Sequence, residues 1–360
     1  MLRSSTTLYN SILSQKYLLY FYRSHFNIEL IIKQDLMKKF FKVSGIIFGV
    51  IFLLLIIGYG YLMTKYPKDI AVRDIKINPT PEMIERGKYL ANNFAGCIDC
   101  HSQRDYNKFA GPLVPGTEGM GGMDYGEGAG FVPAKNITSD VETGIGGWTD
   151  GEIFRAITCG LNKDGKELGP MMPYTFFRNM DEEDVKAIIA YIKTVPPKKN
   201  AVPQHDFKFP VNIIFRTIPN EPDFKKRPDP TDKVALGAYY VISCKFCHSP
   251  TDGPDFVPGK EFAGGVEMPN PKGGIIRSAN ITPDKETGIG NWSKQQFIDR
   301  FRLYEKPESQ NIAVKDGEFN TVMPWTFFAT ATDDDLGAVY DYLMSQKPVF
   351  NKVEKFTPPK

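Results

Sequence analysis

The sequence contains one five-residue motif twice, and this repetition strongly limits what the chain can fold into. The two copies are Cys97-Ile98-Asp99-Cys100-His101 and Cys244-Lys245-Phe246-Cys247-His248. Two thiols three residues apart lie on the same side of one helical turn, so both can bond to one planar group. The imidazole that follows at once is then delivered to one face of that group. The pattern Cys-x-x-Cys-His is the attachment signature of a c-type haem.

Two other uses of the same atoms fit the motif less well. Cysteine pairs that share one zinc ion are usually about 15–20 residues apart, whereas these pairs begin at Cys97 and Cys244. A thioredoxin-like redox pair explains Cys-x-x-Cys but not the histidine directly after both pairs. The sequence therefore predicts two covalently bound haem c groups. Their attachment residues are Cys97, Cys100, Cys244 and Cys247, and their iron-ligating histidines are His101 and His248.

The fifth cysteine and the charge balance limit the compartment and the partners. Cys159 is the only cysteine outside the motifs, and we expect it to be a small core residue near a helix end. The net charge of +2 implies no basic field of the size that nucleic-acid binding requires. Thioether attachment itself implies maturation in a bacterial periplasm or an equivalent compartment.

An uncharged apolar run near the N-terminus predicts a membrane anchor. Residues 43–63 carry no charged side chain. As a helix this run would be about 31 Å long, which matches a bilayer core of about 30 Å. Lys38, Lys39 and Lys42 precede it, so the positive-inside rule keeps the N-terminus cytoplasmic and exports the rest. A cleaved signal peptide is the alternative, although no small-x-small cleavage site follows the run.

The segment before this run has no clear structural pattern. Residues 1–36 mix aromatic, apolar and charged residues without a sustained helical or strand period. Residues 37–42 look like the beginning of a secretory or anchor sequence. Our hypothesis is that the mature gene product starts at Met37 and that residues 1–36 are a doubtful extension.

Two further blocks recur after each haem motif. Residues 136–148 return as residues 280–292, with the shared pattern Asn-Ile-Thr-x-Asp-x-x-Thr-Gly-Ile-Gly-x-Trp. Residues 172–177 return as residues 323–328, with the pattern Met-Pro-x-Thr-Phe-Phe. The spacing between the two blocks is longer in the second copy, and we expect the insertion in the polar stretch 306–317.

Capping signals predict the helices of each copy. One helix runs towards each haem motif, and others follow the two repeated blocks. Each begins at a residue type that favours the N-cap. These residues are Thr80, Thr149 and Asp181 in the first copy, and Thr231-Asp232, Ser293 and Thr332 in the second.

A methionine before proline, at the same place in both copies, is the predicted second ligand of each iron. A soft thioether suits iron of this kind, and Met/His ligation raises the reduction potential. Filling gaps in a core is the usual role of methionine. Met172 and Met323, however, occupy the same position in the two repeats, each of which contains a haem motif, and this favours ligation. Met171 competes with its neighbour, and the repeat alignment favours Met172. Outside the motifs the histidines are His25 and His205, so at most one haem could be ligated by two histidines.

The loops after the motifs suggest a partner for each axial imidazole. Gly111-Pro112 and Gly253-Pro254 occupy similar places in the two copies. A backbone carbonyl of each dipeptide is expected to accept the hydrogen bond from His Nδ1–H and so to fix the tautomer.

Filled axial positions favour electron transfer over catalysis. Two irons that each carry a histidine and a methionine have no room for a small substrate, so the chain is expected to relay electrons. The alternative is a dihaem peroxidase-like enzyme, in which one haem opens its sixth position. The two nearly equivalent Met-Pro motifs argue against it.

With these blocks in hand, the chain resembles two class I cytochromes c in tandem. More narrowly, it is similar to the multihaem cytochrome c subunits of membrane-associated alcohol, aldehyde and gluconate dehydrogenases. The two repeated blocks carry this resemblance, together with Phe209-Pro210-Val211-Asn212-Ile213. It implies an all-α fold, haem c with His/Met ligation, and passage of electrons towards quinone or a terminal oxidase. The chain departs from the pattern in having two haem motifs where those subunits usually have three, and in its N-terminal anchor.

The expected organisation is two tandem cytochrome c domains behind a transmembrane helix. Domain 1 spans residues 80–197 and domain 2 spans residues 231–350. The other segments are the extension 1–36, the anchor 43–63, the tether 64–79, the linker 198–230 and the tail 351–360. We expect a bacterial inner-membrane protein whose haem domains face the periplasm. Its expected partners are redox proteins: a respiratory dehydrogenase, a quinol-oxidising complex or a terminal oxidase.

Overall fold

Helices make up most of the regular structure, as the capping signals predict. The computed structural model describes residues 4–253 and 255–360. The N-terminal helix is α1 (Ser4–Lys65). The first copy contains α2 (Pro81–Asn92), α3 (Cys97–Cys100), α4 (Asp150–Cys159), α5 (Tyr174–Phe177) and α6 (Glu182–Ile192), and α7 (Val211–Arg216) follows it. The second contains α8 (Lys233–Tyr240), α9 (Ile242–His248), α10 (Lys294–Arg302), α11 (Pro307–Gln310), α12 (Trp325–Phe328) and α13 (Asp333–Met344).

Short antiparallel strands lie in the loops of each copy, in the linker and in the C-terminal tail, and the expected all-α fold does not include them. Strands β1 (Gly130–Phe131) and β2 (Asp206–Phe207) form one pair, and β3 (Thr251–Asp252) and β4 (Asp255–Phe256) form another. A three-stranded sheet has the order β5 (Glu267–Pro269), β6 (Ile275–Arg277), β7 (Phe356–Thr357). In its register, Ile276 pairs with Met268 on one side and with Phe356 on the other.

Helix α1 and Tyr66 form a structural unit separate from the rest of the chain. Its segment Lys33–Lys65 is long and apolar enough to cross a membrane, judged by length and composition. This segment includes the predicted anchor 43–63. Helix α1 also runs through most of the doubtful extension 1–36, of which residues 1–3 lie outside the described residues.

Pro67–Lys360 is the second unit, and in it each copy packs its first helix against its last at a glycine. A Cβ atom on Gly87 of α2 would lie 1.8 Å from the carbonyl oxygen of Ala187 in α6. A Cβ atom on Gly237 of α8 would lie 2.0 Å from the carbonyl oxygen of Ala338 in α13. The two helix backbones are therefore in contact at these points, and both copies build the same crossing.

The predicted helix starts are confirmed. Thr149 and Ser293 each form a complete capping box with the residue three positions later. The other side chains that cap helices are Thr80, Asp181, Asp232 and Thr332, each of which accepts a hydrogen bond from a backbone N–H of the first turn.

The two copies contact each other through a reciprocal pair of tyrosines. The Tyr89 hydroxyl of α2 donates to Asp335 Oδ2 at the start of α13, at 2.5 Å. The Tyr239 hydroxyl of α8 donates to Asp184 Oδ2 at the start of α6, at 2.7 Å. Each hydroxyl also accepts a hydrogen bond from the backbone N–H of the neighbouring N-cap residue. Because the same two elements meet in both directions, the contact has the form of an isologous, two-fold interface.

Phenylalanine at either tyrosine is expected to lower the free energy of unfolding, because a partly buried carboxylate loses a hydrogen-bond donor. Tyr89→Phe should cost about 1–3 kcal/mol. Tyr239→Phe should cost less, since Asp184 still accepts from Arg86 Nε and Nη2, at 2.9 and 2.8 Å. Denaturant unfolding of the full chain in detergent measures both losses. Tyr340→Phe is the control, since its hydroxyl donates to the exposed Trp292 carbonyl within one copy. If neither variant is less stable than this control, the reciprocal contact does not hold the copies together.

Candidate haem sites

Each motif histidine is oriented by one backbone carbonyl. His101 Nδ1 lies 2.6 Å from the carbonyl oxygen of Lys135, and His248 Nδ1 lies 2.7 Å from that of Ala279. A carbonyl oxygen only accepts, so Nδ1 carries the proton and Nε2 keeps a free lone pair. This tautomer is the one in which an imidazole binds a metal through Nε2.

The predicted acceptors of these hydrogen bonds are wrong. The Gly111 carbonyl accepts from Arg104 Nε at 2.8 Å instead of from a histidine. In the second copy Pro254 lies outside the described residues, and the acceptor is Ala279. The carbonyls that orient the rings come from the residue directly before each Asn-Ile-Thr block.

The repeated Asn-Ile-Thr block explains why these carbonyls are well placed. Asn136 is buried; its Oδ1 accepts from the Thr138 N–H at 2.9 Å, and its Nδ2 donates to Thr143 Oγ1 at 3.1 Å. Asn280 makes the same pair of bonds in the second copy, with Thr282 and Thr287. Each block thus folds around a buried amide, which fixes the peptide just before it. That peptide presents the carbonyl to the histidine.

Burial keeps the site side chains uncharged. It lowers the pKa of His101 and of His248, which favours the neutral imidazole that a metal needs. Burial also raises the pKa of the Cys97 and Cys244 thiols to about 12. The pKa of the Cys100 thiol is raised for the same reason. Ionised side chains are therefore disfavoured at both sites near neutral pH.

In the first copy the predicted site residues meet at two adjoining cavities. The larger has a volume of about 390 Å³, within the range of about 300–1,000 Å³ typical of ligand pockets. Cys97, His101 and Met172 line it together with Trp148. The smaller cavity, of about 130 Å³, is lined by the same three residues and by Cys100. Two thiols, an imidazole and a thioether around one apolar space fit a covalently attached haem.

Both predicted methionines lie beside the core that the two copies share. Met172 and Met323 pack against this core, as do Cys97 and Cys244. Met171 lines only the smaller of the two cavities, whereas Met172 lines both. The position of Met172 is compatible with the prediction, from the repeat alignment, that Met172 and not Met171 is the ligand.

His205 lies on the wall of both cavities, although it belongs to the predicted linker. Its ring stacks on Phe207 with centroids 4.1 Å apart, and burial lowers its pKa. Phe207 belongs to β2, whose pairing with β1 brings the linker back to the first copy. No local pattern reveals this return, because it depends on a strand of two residues.

Cys159 is the core residue that the sequence predicts. It is the last residue of α4, it is 3 % exposed, and it packs with Ile70 and Leu161. This small cluster is separate from the one against which the motif cysteines Cys97 and Cys244 pack.

Two Cys-x-x-Cys-His motifs with oriented histidines, the first of them beside an apolar cavity, are characteristic of a c-type cytochrome, and relatives of the chain agree. The chain is 30 % identical over 292 residues to the cytochrome c subunit of the quinone-dependent alcohol dehydrogenase of Gluconacetobacter polyoxogenes, covering 74 % of this chain and 56 % of that subunit. It is 28 % identical over 287 residues to the gluconate 2-dehydrogenase cytochrome c subunit of Pantoea cypripedii, covering 73 % and 59 %. A dihaem c-type cytochrome of Cereibacter sphaeroides is 32 % identical over 199 residues, covering 53 % and 64 %.

These relatives confirm the resemblance that the repeated blocks carry: the chain is similar to the multihaem cytochrome c subunits of dehydrogenases. No protein-family model matches the chain. The chain spans a little over half the length of the dehydrogenase subunits that it matches.

Proposed function

We propose that this chain is a membrane-anchored dihaem cytochrome c that relays electrons. In this proposal residues 80–197 and 231–350 are tandem helical cytochrome c domains, each with one haem c. The first cavity is the observation that carries the proposal, because Cys97, His101 and Met172 line it together. The second copy repeats the same residue types and the same His–carbonyl geometry.

The residues assigned to each haem are those of the two repeats. Cys97 and Cys100 would hold the first haem, and His101 and Met172 would bind its iron. Cys244 and Cys247 would hold the second haem, and His248 and Met323 would bind its iron. A bound haem supplies one-electron redox chemistry at its iron.

The surrounding chain has three tasks in this function. The Lys135 and Ala279 carbonyls hold the imidazoles in the tautomer that binds iron. The apolar walls, including Trp148 and Ile157, exclude water from the first site. The thioethers of Met172 and Met323 would bind the irons and so raise their reduction potentials.

Helix α1 supports the membrane anchor in this proposal, and the relatives support its partners. Helix α1 supplies a candidate span, and the lysines before residue 43 favour export of the haem domains to the periplasm. Two relatives are named as cytochrome c subunits of an alcohol and a gluconate dehydrogenase. We therefore propose a dehydrogenase as the electron donor, and a quinone-linked complex or a terminal oxidase as the acceptor.

Carbon monoxide binding tests the ligand assignment. The reduced full-length protein in detergent should carry two haems and bind no carbon monoxide, since both sixth positions are filled. Met172→Ala and Met323→Ala should each open one haem, so that carbon monoxide binding rises from none to one per chain. The double variant should bind two. Optical spectra of the reduced protein, with and without the gas, give these counts.

Met171→Ala is the matched control for Met172→Ala, because the two methionines are neighbours. It should leave both haems closed. Opening by Met171→Ala alone would transfer the ligand role to Met171. Carbon monoxide binding by the unmodified protein would instead favour the peroxidase-like alternative.

A further inference from the structure

The segment that carries Met172 is held by its own copy. The Met172 N–H donates to the Gly169 carbonyl at 3.0 Å, and the Leu168 N–H donates to the Gly160 carbonyl at 2.8 Å. The neighbouring Tyr174 ring is fully buried against this turn. The first methionine is thus positioned by residues close to it along the chain.

The segment that carries Met323 is held by hydrogen bonds from the other copy in addition to those from its own. Asn320 is fully buried, and its Oδ1 accepts from the Ala110 N–H at 2.8 Å. Its Nδ2 donates to the carbonyls of Tyr106 and Lys108, at 3.0 and 3.1 Å. Every one of these partners belongs to the loop after the first haem motif. Within its own copy, Oδ1 also accepts from the Thr321 N–H at 2.8 Å, and the Asn320 N–H donates to Asn270 Oδ1 at 3.2 Å. The Asn320 side chain therefore joins the second methionine segment to the first copy.

Arg104 makes a second connection between the same two segments. Its Nε and one terminal nitrogen donate to the carbonyls of Gly111 and Ala110, at 2.8 and 2.5 Å. Its other terminal nitrogen donates to the carbonyl of Val322, the residue directly before Met323, at 3.4 Å. That nitrogen also lies 3.1 Å from Asp99 Oδ1, inside the first Cys-x-x-Cys-His motif. Arg104 therefore links the first haem motif to the second methionine segment.

The turn at Ala110 and Gly111 allows one backbone segment to bind both Asn320 and Arg104. Ala110 and Gly111 both have positive φ angles, of 59° and 53°. A Cβ atom on Gly111 would lie 2.5 Å from the Tyr106 ring, so the turn needs a glycine there. This turn lets Ala110 offer its N–H to Asn320 and its carbonyl to Arg104. Aligned on the haem motif, the second copy has Phe246 and Thr251 at the places of Asp99 and Arg104, so it has no such pair.

We infer that Arg104 and Asn320 are positioning residues for Met323: the first copy sets the geometry of the second iron's methionine ligand. The inference rests on the proposed function, in which Met323 ligates iron. The hydrogen bonds from the other copy reach the Met323 segment, whereas the Met172 block contacts the second copy through the Phe176 ring, whose centroid is 6.3 Å from that of Phe246. The methionine ligation of the second haem should therefore respond to changes in the first copy's loop.

Carbon monoxide binding by positioning variants tests this inference. Arg104→Lys keeps the charge beside Asp99 but loses the forked donors, and Asn320→Ser removes the amide. Each variant should retain two haems and gain carbon monoxide binding at one haem, with a lowered reduction potential of that haem. Combined with Met172→Ala, each should bind two carbon monoxide molecules per chain. Arg277→Lys is the matched control, since this arginine pairs with Glu267 on the sheet, and both haems should stay closed.

The outcomes separate this inference from the proposed function. If Met323→Ala leaves both haems closed, Met323 is not a ligand and the proposed function fails. If Met323→Ala opens a haem but Arg104→Lys and Asn320→Ser behave as the unmodified protein, the positioning role is overturned. Should Asn320→Ser fail to accumulate, the potentials and gas binding of the milder Arg104→Lys variant decide the question alone.

Discussion

Gly237→Ala should destabilise the protein by at least about 2 kcal/mol, within or above the usual 1–3 kcal/mol for overpacking a core. The added Cβ would lie 2.0 Å from the Ala338 carbonyl oxygen and 2.8 Å from the Tyr342 Cβ. Backbone atoms cannot rotate away, so α8 and α13 would have to separate. Gly87→Ala should do the same at the crossing of α2 and α6, where the closest approach is 1.8 Å. Denaturant unfolding of the full chain in detergent measures both losses.

Gly337→Ala is the matched control, because it too replaces a glycine inside a helix. Its Cβ would meet only flexible atoms first, at 3.3 Å from Lys294 Cδ. Alanine is favoured over glycine within helices by up to about 1 kcal/mol, so this variant should be as stable as the unmodified protein or slightly more so. Equal behaviour of Gly237→Ala and Gly337→Ala would mean that the helix backbones do not touch at Gly237.

Helix starts could be predicted because their signals are local. A side-chain oxygen and the N–H groups it caps are two or three residues apart, so Thr149 and Ser293 identify their helices without any tertiary information. The repeat gave a second, independent signal. It identified Met172 and Met323 as equivalent, and the structure brings Met172 to the same cavity as Cys97 and His101.

The acceptor of the axial histidine could not be read in the same way. A backbone carbonyl is present at every residue, so the sequence does not show which one faces His101. The Gly-Pro loops are suitable by sequence alone, because each is the first Gly/Pro-rich loop after its motif. The useful signal was the buried asparagine of each Asn-Ile-Thr block, since Asn136 and Asn280 fix the peptide before them.

Contacts between the copies were missed for a similar reason. Tyr89 and Asp335 are far apart in the sequence, and neither belongs to a repeated block that was aligned. The glycines show their equivalence, because Gly87 and Gly237 lie at the two helix crossings and each is followed two residues later by a tyrosine. A comparison based on these glycines would have paired Tyr89 with Tyr239. The two- and three-residue strands have no sequence period at all, so only the folded chain reveals them.

Loss of both thiols at the first site should have the largest effect on haem content and on folding. Cys97→Ala together with Cys100→Ala removes every covalent link to the first haem, so covalent haem should fall from two to one per chain. A cavity of about 390 Å³ would then lie beside α4 and α6 without a covalently held occupant. The apolar walls of this site would be exposed to water, at about 25 cal/mol per Å² of apolar surface. A loss of a few kcal/mol is a substantial part of the stability of a typical domain, about 5–15 kcal/mol. The first copy should therefore become sensitive to protease.

Haem staining of denatured protein and limited proteolysis measure these two effects separately. Cys159→Ala is the control: it also removes a buried thiol, but it lies in the cluster with Ile70 and Leu161 and should leave two covalent haems. The reciprocal contact of Tyr89 and Tyr239 adds a further expectation. Because each copy's first helix stabilises the start of the other's last helix, loosening of the first copy should also make the second more sensitive to protease. A second copy that keeps its full resistance while the first is digested would show that the two fold independently, despite the interface between them.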